Sequence, residues 1–218
     1  MTVIGLPKKL ASWIAWRERQ NVVKCFTELI NPTKTDVLLE IGGPTGSAEA
    51  IVSLYKKVLI INISNINQTT IDECGYPENT QIIRGNGCVL PLKNGSVDYV
   101  FSNATIEHIP KAQWEYFSRE VIRVAKKGIF ISAPNFWFPF EPHYLFPFFQ
   151  FLPNIIKRLF IMDFGLSIGY INKTNFHKAI HLPRKRELQN IYPNANIRGV
   201  GWGMPSIIPI HWICWMKK

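Results

Sequence analysis

Short runs of apolar residues recur along the first two thirds of the chain, each bounded by polar or glycine-containing turns. Continuous apolar runs of this kind are typical of strands that are buried on both faces of a parallel sheet. The pattern predicts strands at residues 37–41, 57–63, 81–85, 97–102 and 127–133, and helices at 8–30, 48–55 and 111–126. This alternation predicts an α/β fold, with a mostly parallel central sheet and helices on both faces.

Two of the predicted helices have a clear apolar face. The first should end at Asn31-Pro32, because proline disfavours a helical conformation in the residue before it. Its predicted buried face consists of Trp13, Ile14, Val22, Phe26 and Leu29. The predicted buried face of the helix at 111–126 consists of Trp114, Phe117, Val121, Ile122 and Val124.

The rhythm of strands and helices breaks at residues 136–182, where aromatic residues and prolines are crowded together. We interpret this segment as an insertion that covers the sheet as a lid. The alternatives are an apolar pocket, or a membrane-surface patch in which Lys157 and Arg158 meet anionic headgroups. A helix at 184–192 and two closing strands within 195–215 complete a single domain. Its predicted parts are an N-terminal helix (1–34), a core (35–135), the lid insertion (136–182) and a C-terminal part (183–218).

Composition excludes several classes of protein. The chain has 218 residues, 47% of them hydrophobic, which indicates a globular domain. Its net charge of +10 is distributed over short basic groups, so specific nucleic-acid binding is not favoured, whereas contact with an anionic membrane surface stays open. The four cysteines lack metal-ligand spacing, so no metal site is expected. We see neither a signal peptide nor a membrane-spanning segment, and expect a cytoplasmic protein; a peripheral position at the membrane is the alternative.

The turn after the first strand is the first candidate for ligand binding. The sequence DVLLEIGGPTGSAEAIV, residues 36–52, joins a buried strand to a predicted helix through Gly42, Gly43 and Gly46. Ligands of parallel α/β sheets bind beyond the carboxyl ends of the strands, and glycine lets the backbone approach them closely. Pro44 removes one backbone N–H, which makes the turn a poor phosphate site and favours a ligand without phosphates.

Three segments in register resemble one known family. VLLEIGGPTG resembles the first motif of the class I S-adenosylmethionine-dependent methyltransferases, with Pro44 in place of the middle glycine. NGCVLPLKNGSVDYVFSNATIEHIP (86–110) and EVIRVAKKGIFISAPN (120–135) resemble later parts of the type 11 methyltransferase domain of that group. The resemblance covers roughly residues 35–135. It implies a Rossmann-like domain and S-adenosyl-L-methionine as cofactor.

The resemblance also implies a cofactor site. Glu40 would lie near the amino-acid end of the cofactor, and the backbone at 42–46 would pass beneath it. Asn62 and Asn86 occupy places where the family has acids, on the ribose hydroxyls and the adenine amino group respectively. An amide still accepts a hydrogen bond but lacks the charge, so we expect binding weaker than usual. The implied cofactor residues are Glu40, Gly42, Gly43, Gly46, Asn62, Ile63, Asn86, Gly87, Cys88 and Asn103.

Methyl transfer to a hydroxyl also needs a base, and two histidines are candidates. His108 follows the fourth strand; the alternative is a structural histidine that caps the next helix. His143 and Glu141 lie in a segment that resembles the pattern P-N-x-x-F-P-x-E-x-H-x-x-x-P of some type 11 methyltransferases, including ones associated with surface-polysaccharide synthesis. His177, His181 and His211 lack a motif, and we expect them to be structural or exposed.

The leading hypothesis is a methyltransferase that acts on oxygen of a saccharide or lipid-linked glycan, with a small-molecule or glycan acceptor as partner. The first alternative is a non-catalytic module that kept the fold but lost efficient cofactor binding, as Pro44, Asn62 and Asn86 would allow. The second alternative is a basic membrane- or RNA-associated protein.

Overall fold

One seven-stranded sheet organises the molecule. The computed structural model describes residues 8–42, 51, 55, 57–62, 78–141, 146–153, 155–157, 180–201 and 209–218. The strands of the sheet are β1 (Val37–Gly42), β2 (Lys57–Asn62), β3 (Thr80–Arg84), β4 (Val97–Asn103), β5 (Ala125–Pro134), β8 (Asn196–Val200) and β9 (His211–Lys217). The described helices include α1 (Lys8–Ile30), α2 (Trp114–Val124) and α3 (Lys185–Ile191).

The strands follow the order β3-β2-β1-β4-β5-β9-β8 across the sheet. Strands β1 to β5 are parallel, and β9 is antiparallel to both β5 and β8. The five predicted strands and the two closing strands are confirmed, with ends within about two residues of the prediction. The predicted helix at 48–55 lies mostly outside the described residues.

Helices pack on both faces, as predicted. Alternate strand residues belong to two separate core clusters, because successive side chains of a strand point to opposite faces. On one face, Val22, Phe26 and Ile30 of α1 pack on Leu38 and neighbouring strand residues. The cluster on the other face joins strand residues such as Leu39 and Ile41 to the α2 residues Trp114, Phe117, Val121 and Val124 and to Leu188 of α3.

The C-terminal end of α2 lies two residues before the predicted one. Residues 111–113 form a short 3-10 helix, the α-helix proper runs from Trp114 to Val124, and β5 begins directly at Ala125. Lys127 explains the early start of the strand. Its ammonium group contacts Asp36 and Asp98, which precede or open the neighbouring strands β1 and β4. This ion-pair cluster fixes the start of β5 against the amino edge of the sheet.

The prediction that Trp13 belongs to the buried face of α1 is wrong, since its side chain is 49% exposed. The rings of Phe26 and Phe101 pack edge to face with centroids 5.2 Å apart, and Phe101 lies opposite Glu40 in β1. Trp13 precedes Phe26 by 13 residues, roughly 20 Å along the helix axis. Phe26 also contacts Phe130 of β5, with ring centroids 5.4 Å apart, and from Phe130 β5 extends only roughly 13 Å further, to Pro134. Because α1 leads into the amino end of β1, its first turns lie past the carboxyl edge, where no sheet can bury Trp13.

The first part of the predicted lid is anchored by Asn135, which is buried directly after β5. Its Nδ2 donates to the carbonyl of Pro209 over 2.7 Å, and its Oδ1 accepts hydrogen bonds from the Trp137 backbone and the Trp212 indole. A small hairpin of β6 (Phe140–Glu141) and β7 (Phe146–Pro147) follows, and then a 3-10 helix, Phe149–Phe151. Among the described residues, no helix has the length and apolarity to cross a membrane.

Candidate functional site

The carboxyl ends of the parallel strands bring the predicted cofactor residues to one edge of the sheet. Gly42 at the end of β1 lies opposite Asn62 at the end of β2. Asn103 ends β4 on the other side of β1. Gly43, Gly46 and Ile63 continue the chain beyond these strand ends and lie outside the described residues. The sheet therefore places Gly42, Asn62 and Asn103 at the ends of three adjacent strands.

Glu40 is a buried acid two residues before the carboxyl end of β1. Its side chain is 4% exposed, and none of the described residues forms a hydrogen bond with its Oε2 atom. Burial raises the pKa of the Glu40 carboxyl to about 8. A buried carboxyl oxygen without a donor is costly in a structural role, so this group is suited to meet a ligand that brings a donor or a positive charge.

The end of β1 is locked to β4 by two hydroxyl groups. Ser102 Oγ and Thr105 Oγ1 each donate to the Ile41 carbonyl over 3.0 Å. The next residue, Gly42, has a φ of +151°, and a Cβ at this position would lie 2.5 Å from Thr105 Oγ1. Glycine is therefore required here for packing as well as for backbone conformation. The lock fixes the position from which the glycine turn leaves the sheet.

The backbone at the end of β4 is strained at Ala104. This residue has a φ of +50°, in the left-handed region that non-glycine residues rarely adopt. Its N–H donates to the Ser132 carbonyl of β5 over 3.0 Å, which holds the conformation in place. Strain of this kind concentrates at functional sites, and here it lies beside Asn103.

A tight turn at residues 86–89, which we call the Asn86 turn, lies next to the end of β1. The Oδ1 atom of Asn86 accepts a hydrogen bond from the Cys88 N–H over 2.9 Å. A Cβ on Gly87 would lie 3.0 Å from the ring of Phe117 and 3.6 Å from Ile41. A larger residue at the second position of the turn would press on the Phe117 ring, and Asn86 is exposed at the start of the turn.

The segment that carries this edge matches a known protein family. Residues 39–132 match the model of the family described as Methyltransferase domain. These residues form a methyltransferase domain of that family. The match begins in β1, ends in β5 and includes both the Glu40 edge and the Asn86 turn. It confirms the resemblance to a methyltransferase domain.

Solved structures agree with the fold of this methyltransferase domain. A SAM-dependent methyltransferase from Methanosarcina mazei has a TM-score of 0.58 at 15% identity, over 86% of this chain and 94% of that one. Magnesium protoporphyrin IX methyltransferase from Synechocystis PCC 6803, with bound SAH, has a TM-score of 0.58 at 14% identity, over 92% and 83%. The small RNA methyltransferase HEN1 has a TM-score of 0.62 at 13% identity, over 92% and 25%. No curated protein matches the chain.

The methyltransferase domain has a support for the Asn86 turn that sequence reasoning missed. Glu120 Oε2 accepts a hydrogen bond from the Leu90 N–H over 2.6 Å. The Arg123 guanidinium donates to the carbonyls of Leu90 and Leu92, to the Asn94 side chain and to Glu120. Arg123 lowers the pKa of Glu120 through these contacts. In the sequence, Glu120 and Arg123 are visible only as opposite charges three residues apart on a predicted helix. That spacing does not indicate which loop they contact.

The acceptor side of the site is described only in part. His143 lies outside the described residues, and Glu141 is placed by its backbone, opposite Phe146 in the β6–β7 hairpin. His108 is exposed in a short 3-10 helix after β4. The alternative that it caps the next helix finds no support, because neither of the two helices that follow has a side-chain cap. Because His143 and the side chain of Glu141 lie outside what the structure describes, the grouping of these three candidates stays a prediction.

Of the three histidines expected to be structural or exposed, His211 is structural and His181 is half-buried. His211 is buried in β9, with its Nδ1 3.0 Å from Ser132 Oγ, so it ties β9 to β5. The His181 N–H donates to the Glu107 carbonyl over 2.8 Å, which returns the chain to the loop after β4. His177 lies outside the described residues.

Proposed function

We propose that this chain is an S-adenosylmethionine-dependent methyltransferase that methylates an oxygen atom of a saccharide or lipid-linked glycan. The family match supports methyl transfer, and the aromatic segment after β5 supports an acceptor with both polar and apolar parts. The fold itself does not select the acceptor, since the similar structures include a porphyrin and a small RNA methyltransferase.

The observation that carries the proposal is the buried Glu40 carboxyl, whose Oε2 has no donor among the described residues. S-adenosylmethionine, when bound, supplies a methyl group on a positively charged sulfur together with an amino-acid group. In its deprotonated form Glu40 would offer that amino group a charge-assisted hydrogen bond. Gly42 would keep the backbone beside Glu40 free of a side chain.

The Asn86 turn would hold the other end of the cofactor. Asn86 is exposed, and its carboxamide keeps two N–H donors and one remaining acceptor position on Oδ1 after the bond to Cys88. Asn62 would contact the ribose from the end of β2. Gly87 and Cys88 would line the adenine site through the turn that packs on Phe117.

An acceptor hydroxyl must lose its proton, and the candidate bases are His143, Glu141 and His108. We favour His143, because it lies close to Glu141 in the aromatic segment. That segment begins at the carboxyl end of β5, on the side of the sheet where the cofactor would bind. Residues 136–182 would then act as a lid that closes over the reacting groups and excludes water.

Calorimetry with S-adenosylhomocysteine tests the cofactor half of the proposal. We expect binding, and we expect Glu40→Ala to weaken it by the ~1–3 kcal/mol of a lost charge-assisted contact. Glu115→Ala is a matched control, since Glu115 is an exposed carboxylate on α2. Absence of binding at millimolar ligand would reject the proposal in favour of a non-catalytic module.

The non-catalytic module is the second candidate, and two amides favour it. Asn62 and Asn86 stand where the family has acids, and Pro44 interrupts the glycine turn. A chain of this second kind would keep the fold but show no affinity for the cofactor. The same titration therefore separates the two candidates, and the mass of any copurified small molecule would identify an alternative ligand.

A further inference from the structure

The aromatic segment after β5 exposes a large apolar surface. Trp137, Phe148, Phe151 and Ile155 are each between 43% and 72% exposed. The ring centroids of Trp137 and Phe151 lie 6.0 Å apart, and those of Phe148 and Phe151 lie 6.4 Å apart, so the aromatic members are contiguous. We call these four residues the lid surface. Exposed patches of large apolar side chains mark an interaction site rather than ordinary surface.

Basic side chains border the lid surface. The Arg184 guanidinium lies 4.7 Å from the ring centroid of Phe136 and 5.3 Å from that of Trp137. Lys185 and Arg186 are the next two residues in sequence and are exposed at the start of α3, where the Lys185 ammonium lies 5.9 Å from the centroid of the Trp212 ring. Lys157 lies beside the patch, where its ammonium donates to the Gln150 carbonyl over 2.9 Å. The partner of this surface must therefore offer both apolar contact and negative charge.

The first turns of α1 carry a second exposed group of the same composition. Trp13 and Trp16 are each about half exposed, and their spacing of three residues places them on one side of the helix. The Arg17 guanidinium lies 5.3 Å from the centroid of the Trp13 ring. We call Trp13, Trp16 and Arg17 the α1 tip. Tryptophan with a basic neighbour is typical of the interface between lipid and water.

Both groups lie at the carboxyl edge of the sheet. The α1 tip lies past this edge because the helix is longer than the strands on which it packs. The lid surface belongs to the chain that leaves the carboxyl end of β5, and Asn135 anchors it there. The lid surface and the α1 tip therefore flank the edge that carries Glu40 and Gly42.

We propose that the lid surface and the α1 tip dock this protein onto an anionic lipid bilayer, with the carboxyl edge of the sheet facing the membrane. The net charge of +10 and the basic borders complement anionic headgroups, and the aromatic rings enter the interfacial layer. The inference rests on the proposed function and narrows it, because a site held at the membrane selects an acceptor that is anchored in lipid.

Vesicle cosedimentation tests the docking. The probes are vesicles of phosphatidylcholine alone and vesicles that also contain phosphatidylglycerol. We expect binding to the anionic vesicles that decreases with added salt. The double variants W13S/W16S and F148S/I155S should each weaken it by at least about tenfold, because each removes apolar area that would leave water.

A second pair of variants isolates the charge. Arg186→Ala should weaken binding to anionic vesicles by about fivefold, the effect of one basic residue near a charged membrane. Lys126→Ala is the control, since it is also exposed but lies at the amino edge, near the start of β5. Equal effects of the two variants would mean that net charge alone drives adsorption, which would overturn the oriented docking.

Three other outcomes would also reject the proposal. Full vesicle binding by both double variants would place the contact elsewhere. Binding of single-stranded RNA that both double variants abolish, without vesicle binding, would make this an RNA surface. A dimer in solution that the same variants dissociate would make it an interface between copies. Affinity for S-adenosylhomocysteine, measured without vesicles, reports the proposed function separately, because neither double variant alters Glu40 or the Asn86 turn.

Discussion

Binding of the cofactor should release a proton from Glu40. Burial raises the pKa of this carboxyl to about 8, so in the free protein at pH 7 the group is about nine-tenths protonated. The amino group of the ligand is best met by the carboxylate, which requires the proton to leave. Deprotonating Glu40 costs roughly 1.4 kcal/mol at pH 7, and roughly 1.4 kcal/mol more for each pH unit below 7.

The affinity for S-adenosylhomocysteine should therefore rise by roughly tenfold per pH unit between pH 6 and pH 7.5, and level off above pH 8. Calorimetry in buffers of different ionisation enthalpy measures the released proton directly. Glu40→Gln keeps the size and an acceptor oxygen but cannot lose a proton, so its affinity should not follow pH. An unchanged slope in the variant, or a flat profile in the parent protein, would refute the role assigned to Glu40.

The raised pKa of Glu40 should also make the stability of the ligand-free protein depend on pH. The folded protein binds the Glu40 proton more tightly than the unfolded chain does, whose carboxyl has a pKa near 4.5. The stabilisation from this proton is fully present below pH 4.5 and is lost as pH rises from 4.5 through 8. Over that range the free energy of unfolding falls by up to about 5 kcal/mol. Glu40→Gln should accordingly raise the Tm at pH 8.5 much more than at pH 5.

The remaining predictions concern the walls of the site. Gly42→Ala should destabilise the fold by about 1–3 kcal/mol in urea titrations, because the added Cβ collides with a threonine hydroxyl in a backbone conformation that suits glycine. Arg123→Met should weaken S-adenosylhomocysteine binding several-fold and speed amide exchange in the loop after the Asn86 turn, whereas Arg119→Met, on the same helix, should do neither. Asn62→Asp should tighten binding if it occupies the place of the family acid; unchanged affinity would mean that the ribose is held elsewhere. His143→Ala should leave cofactor affinity unchanged but lower turnover by ~10²–10⁴-fold once an acceptor is known, and an equal loss of both would make it structural.

The sheet could be predicted from sequence because its central strands are short and mostly buried on both faces. Runs such as residues 37–41 and 57–63 contain few polar positions, and the turns that follow contain glycine or asparagine. Parallel strands place their carboxyl ends at one edge, so the residues that end the predicted strands are expected together at that edge. The placement of Gly42 and Asn62 at one edge follows from this rule, whereas their direct pairing depends on the order of the strands.

Contacts between distant segments could not be predicted in the same way. The periodicity of α1 shows which side of the helix is apolar but not how far the sheet extends beneath it, so Trp13 was assigned to the core. Glu120 and Arg123 are ordinary surface charges by sequence, and their function depends on a loop about 30 residues earlier. The protonation of Glu40 depends on burial, which no local pattern reports.

The amides Asn62 and Asn86, in place of the family's acids, should change how cofactor binding depends on pH. Acids at positions 62 and 86 would carry negative charge to the site whether or not a ligand is bound. With asparagine at both positions, Glu40 is the only acid among the cofactor residues that the resemblance implies. Because that carboxyl is mostly protonated at neutral pH, the cofactor would have to draw a proton out of it to gain a charge-assisted contact. If positions 62 and 86 bind the cofactor as the resemblance implies, replacing their acids by amides should make cofactor binding more dependent on the protonation of Glu40, and so more dependent on pH.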